Sequence, residues 1–161
     1  MVSVRILAIA SLIIILVALG LVYVLTRSIT ITNVTYTETP RALAVYMTIR
    51  NEKFEEVCLV KVELGEPGDV MVELHETVVR EGGIHEMRPV EKLCLGPRSS
   101  LELKPGGYHI MVMGSTETLG SITADKIVKL RLIFDDGTVV DVEAKPLESM
   151  PQTEHHSSSH H

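Results

Sequence analysis

Hydrophobic and polar positions alternate along most of this chain, after a first stretch in which they do not. Residues Ile6 to Leu25, ILAIASLIIILVALGLVYVL, run twenty positions without a charge between Arg5 and Arg27. Twenty helical residues at about 1.5 Å each reach across a hydrocarbon core of ~30 Å, so the pattern predicts a transmembrane helix. A cleavable signal peptide is the competing reading, with Ala18-Leu19-Gly20 as its small-residue cleavage site. The apolar run continues past that site to Leu25, longer than an ordinary signal core, which favours an uncleaved signal anchor over residues 1–27. With almost nothing ahead of Arg5, the natural topology leaves the remainder on the extracytoplasmic side.

Beyond the anchor the period is two, the signature of strands. The predicted strands are SITITNVTYT (28–37), ALAVYMTIRN (42–51), EVCLVKVEL (56–64), VMVELHETVV (70–79), IHEMRPV (84–90), KLCL (92–95), SLEL (100–103), the segment around GYHIMVM, KIVKLRLIF (126–134) and VVDVEA (139–144). Turn signals separate them: Gly65 to Gly68, Gly82-Gly83, Gly96-Pro97, Pro105-Gly106-Gly107 and the hairpin pair Asp136-Gly137. No segment after the anchor sustains a 3.6 period. Eight or nine short strands imply an all-β antiparallel sandwich or barrel over residues 28–147. The polar tail 148–161, ending EHHSSSHH, is expected to be disordered, and its histidines fit a solvated or appended tail better than a metal site.

The chain has 161 residues, 45% hydrophobic and 22% charged, which suits a single domain with a real core. A formal charge of −6 and the absence of a basic run remove the electrostatic footing for nucleic acid. With 4% aromatics and no Trp, a stacking platform for bases or sugars is excluded too. Asn33-Val34-Thr35 is a glycosylation sequon, and Cys58 and Cys94 are the only cysteines. An even count in an oxidising compartment permits one disulfide, while two buried free thiols are the alternative. No Ser-His-Asp or Cys-His set, phosphate loop or carboxylate pair stands at a telling spacing, so the sequence offers no case for an enzyme.

The chemistry-bearing residues gather in three strands. In KPGGYHIMVM, His109, Met111 and Met113 occupy every second position and so share one face. In VELHETV, His75 sits among Val72, Leu74 and Val78, and in IHEMRPV, His85 and Met87 are two apart. Each has an ordinary reading: methionines as core filler, His109 as a rim residue, His75 bonded to Glu73 or Glu76. Thioethers are soft and uncharged, so together with neutral imidazoles they suit Cu(I) far better than zinc, magnesium or calcium. A blue-copper centre needs a Cys thiolate close to its histidine, and Cys94 lies fifteen residues before His109.

The ordered set His75, Met87, His109 and Met111 has eleven, twenty-one and one intervening residues. That spacing resembles the periplasmic copper chaperones of the PCuAC type, whose signature is a His, a Met and then His-x-Met. The surrounding words AVYMTIRN, VELHE, MRPV, LKPGGYHIMVMG and LIFDDGTVVDVEA resemble that family as well, from about Ala42 to Ala144. The resemblance implies a cupredoxin-like β-sandwich that binds one Cu(I) through His75, Met87, His109 and Met111. It also implies delivery to a copper-accepting protein, such as the copper subunit of cytochrome c oxidase, here from a membrane-anchored domain. The rival reading is an exterior structural or adhesion domain with no metal role. His85 stands where relatives often place a second Met, and Met113 is a further candidate neighbour of the site.

Overall fold

The structure is a computed structural model that describes residues 4–25, 28–65 and 69–147, with side chains of the first segment described for residues 8–20. The predicted tail 148–161 lies outside the described residues. Helix α1 spans Val4–Leu25. Its described side chains are all exposed, among them Ile9, Leu12, Ile14 and Leu16. Among the described residues no helix is long and apolar enough to cross a membrane.

Ten strands follow: β1 (Ile29–Thr39), β2 (Ala42–Asn51), β3 (Val57–Leu64), β4 (Val70–Val79), β5 (His85–Val90), β6 (Leu93–Leu95), β7 (Ser100–Leu103), β8 (Tyr108–Gly114), β9 (Val128–Phe134) and β10 (Val139–Pro146). They form one curled sheet in the order β5-β4-β8-β2-β1-β10-β9-β3-β6, with β7 added on β2. The expected all-antiparallel arrangement fails at one seam. There β1 and β10 run parallel, pairing Thr35 with Lys145 and Tyr36 with Pro146, which joins the two halves of the barrel-like sheet. A second correction is a short helix, α2 (Thr116–Ile122), between β8 and β9. Seven residues are too few to show a helical period, yet Ser115 caps the helix by accepting a hydrogen bond from the Thr118 N–H at 3.1 Å.

Alternation decides which side of the sheet faces inward. Along β2, Leu43, Val45, Met47 and Ile49 are buried while the residues between them are half-buried. They join Leu74, Ile110 and Val112 from the same half, and Leu59, Leu130, Leu132 and Phe134 from the other, in one core cluster. Because Leu74, Ile110 and Val112 point inward, their odd-numbered neighbours on β4 and β8 point outward. The two cysteines, directly opposite each other on β3 and β6, form a disulfide, which resolves their open pairing. That bond also consumes the only thiols: Glu56, Cys58 and Cys94 lie together, but neither sulfur is a thiolate ligand.

Candidate metal centre

The register of β4 against β8 sets His75 directly opposite His109. Their ring centroids are 5.8 Å apart and tilted by 54°, and Tyr46 from β2 packs against the far side of His109 at 6.4 Å. Both imidazoles are on the outward face yet nearly covered, His75 at 9% and His109 at 3% exposure. His109 is therefore no rim residue.

Hydrogen bonds settle which nitrogen of each ring carries its proton. The His75 Nε2–H donates to the Glu73 carboxylate at 2.9 Å, and the His109 Nδ1–H donates to the Gly107 carbonyl at 3.1 Å. A carboxylate and a carbonyl can only accept, so in the neutral rings the opposite nitrogens hold lone pairs. Those two atoms, His75 Nδ1 and His109 Nε2, are buried and have no hydrogen-bond partner. Leaving a buried polar atom unpaired costs about 1–3 kcal/mol, so two on facing rings call for an explanation. The third buried polar residue, Asn51, offers the contrast: its amide donates to the carbonyls of Glu55, Leu95 and Gly96, and its oxygen accepts from the Lys53 N–H. Metal-bound histidines ordinarily anchor the N–H that faces away from the ion on a carboxylate or carbonyl, and both rings here have one nitrogen so anchored and the other free. The ordinary reading of His75, a bond to Glu73, is thus correct as a contact, and the same contact leaves Nδ1 without a hydrogen.

The turn before β8 builds half of this. Gly106 adopts a φ of +78°, and the Gly107 N–H closes the turn on the Lys104 carbonyl at 3.0 Å. The Gly107 carbonyl then accepts from both the Thr77 N–H and His109, each at 3.1 Å, tying β4 and β8 at the level of the site. Burial pushes the His109 imidazole below its ordinary value; the Gly107 carbonyl offsets part of this, and the neighbouring His75 ring adds to it. His109 therefore stays neutral, as a ligand must, to a lower pH than an exposed histidine.

The methionines fall on the same face in different rows. Met111 is half-buried, two residues beyond His109, opposite Glu73 on β4 and Ala44 on β2. Met87, on β5, is opposite Thr77, one row from His75 on the side away from Met111, and is 58% exposed. Diagonal neighbours in adjacent strands are about 7–8 Å apart, within reach of a flexible thioether. His85 is not brought in: it faces Val79, a further row from the site, and is exposed. Sequence reasoning missed Glu73 as more than a bystander, although its i, i+2 spacing to His75 already placed both on one face.

Residues 29–145 match the profile of a lipoprotein family described as LpqE-like. The chain belongs to the LpqE-like family. Among solved structures, this LpqE-like chain is similar to the copper-bound PCuAC domain from PmoF2, at 18% identity over 75% of this chain and 93% of that one, with a TM-score of 0.53. The apo PCuAC domain from PmoF1 matches at 16% identity over 75% and 94%, with a TM-score of 0.55. The apo form of the PmoF2 domain matches at 16% identity over 73% and 88%, with a TM-score of 0.51. No curated protein matches the chain. The family resemblance read in the sequence is borne out, and the LpqE-like fold seen here is that of PCuAC domains.

Proposed function

We propose that this chain is a membrane-anchored, extracytoplasmic copper carrier that binds one Cu(I) through His75 Nδ1, His109 Nε2 and the thioethers of Met87 and Met111. The observation that carries this reading is the pair of adjacent imidazoles in which His75 Nδ1 and His109 Nε2 are buried and unpartnered while their other nitrogens are anchored. Metal–imidazole bonds are about 2 Å long, so one ion can bridge rings at this separation. Two neutral imidazoles and two thioethers add no charge to the ion, which favours the soft monovalent state. The copper in a domain of the same fold supports the cargo.

The chain is a binding protein and not an enzyme, and copper is its cargo. Transfer proceeds by ligand exchange: a partner's thiolate, imidazole or thioether enters as a thioether leaves, and no thiolate is left behind. A copper-accepting protein such as the copper subunit of cytochrome c oxidase is the recipient. The charge-free segment Ile6 to Leu25 and the exposed apolar side chains of α1 support the anchor. The Cys58–Cys94 disulfide supports an oxidising compartment.

The test is an anaerobic Cu(I) titration of the full chain against a competing chelator, with His155, His156, His160 and His161 of the tail replaced by alanine. One tight equivalent is expected, and it should be lost in the Met87→Ala, Met111→Ala double variant. Equal, weak binding by both proteins would leave the sandwich as a structural or adhesion domain.

A further inference from the structure

Methionine normally fills cores, and this chain mostly places it elsewhere. Of its seven methionines, five lie within residues 28–147, and only Met47 belongs to the core. Met71, Met87, Met111 and Met113 all stand on the outward face of β4, β5 and β8, by the same register that sets the two histidines there. Met87 and Met111 are the thioethers of the proposed centre. Met71 and Met113 are unassigned, and they are directly opposite each other.

Rows of cross-strand pairs run down this face: His75 with His109, then Glu73 with Met111, then Met71 with Met113. Strand rise puts successive rows about 7 Å apart. Exposure grows along them, from the nearly covered histidines through half-buried Met111 and Met113 to Met71 at 59%. On the other flank of β8, Met111 and Met113 face only Ala44 and Ala42, so small side chains leave the thioethers uncovered from that side. A thioether as exposed as Met71 gains little from packing, whereas paired with Met113 it offers a second soft, neutral donor set.

We propose that Met71 and Met113 form a second, weaker Cu(I) station through which copper enters or leaves the histidine centre, with Met111 as the step between them. This rests on the copper-carrier reading above. The step is ligand exchange only: a copper–thioether bond to Met113 forms as the bond to an imidazole or to Met111 breaks, and no electron or proton moves. Two thioethers without an imidazole hold Cu(I) more loosely than the inner set, so the ion rests inward and is handed over outward.

The test uses the full chain with its four tail histidines replaced by alanine, and a Met71→Leu, Met113→Leu variant of it. Leucine preserves volume and apolar character, so the fold tolerates the change. Anaerobic titration with excess Cu(I) should show a second, weaker equivalent that the variant lacks, while the first equivalent keeps its affinity. Stopped-flow transfer to bathocuproine disulfonate should slow about tenfold in the variant, since hand-off tracks the dissociation path. A second equivalent or a transfer rate that matches the parent protein overturns the station while the carrier reading stands. A parent protein with no tight first equivalent overturns the carrier reading itself, and the station with it.

Discussion

Replacing Glu73 with alanine should weaken Cu(I) binding about tenfold and lower the stability of the apo fold by about 1 kcal/mol, because the His75 Nε2–H loses its acceptor. The carboxylate accepts the His75 Nε2–H at 2.9 Å and thereby leaves the lone pair on Nδ1, in a ring 5.8 Å from that of His109. A hydrogen bond to a charged group contributes about 1.5–3 kcal/mol. The Glu73 side chain is 36% exposed, so solvent screening takes the value to the low end of that range. About 1.4 kcal/mol is a tenfold change in a binding constant. The Glu73→Gln variant keeps an acceptor without the charge, and a neutral acceptor recovers roughly half of that free energy, leaving a loss of about threefold. The assay is chelator competition under anaerobic conditions, with thermal unfolding of the apo protein as the control for the fold. If Glu73 and His75 are merely a surface pair, removing the carboxylate frees the ring, and Cu(I) affinity stays level or rises. That result would refute the positioning role of Glu73.

Two properties of the fold and two of the site set further outcomes. The depressed His109 titration makes the unfolded chain take up a proton below pH ~6.5 that the folded chain refuses, so apo stability is full above that value and falls with pH below it; urea unfolding at stepped pH reads this, and His109→Gln should flatten the dependence. For the same reason protons compete with Cu(I) at His109 only below the ordinary histidine range, and an NMR titration of the apo His109 ring with its midpoint at or above about 6.5 would contradict the burial effect. The Cys58–Cys94 bond closes a separation of 36 residues, so the Cys58→Ala, Cys94→Ala variant should lose about 4 kcal/mol of unfolding free energy by the loop-entropy relation and keep its Cu(I) affinity. His85→Ala, two rows from His75, should leave affinity within about twofold, whereas His109→Ala should abolish tight binding.

Most strands were legible because their period is local. Ala42–Asn51 and Val70–Val79 were read at their observed bounds, and the Gly82-Gly83 and Pro-Gly-Gly turns fall where glycines adopt positive φ. Long-range pairing was not legible. The parallel seam between β1 and β10 and the opposition of Cys58 to Cys94 depend on how distant strands stack, which alternation does not encode. Helix α2 was missed because seven residues show no period, although Ser115 three positions before Thr118 was a readable cap. At the site, alternation correctly put His109, Met111 and Met113 on one face. Burial was misjudged: an outward-facing position on a curled sheet was read as a rim, and the neighbouring strands cover His109 almost completely. The tautomers depend on Glu73 and on the Gly107 carbonyl, and only the folded turn reveals the second of these.

Copper ligation is read most directly by X-ray absorption at the copper edge, on the full chain loaded with one Cu(I) and with its tail histidines replaced. Two imidazole nitrogens and two thioether sulfurs are expected in the first shell. The sulfur contribution should drop in Met111→Leu and the imidazole scattering in His75→Ala. A shell of nitrogen or oxygen without sulfur, or one indifferent to both substitutions, would place the copper elsewhere and overturn the His75, Met87, His109 and Met111 centre.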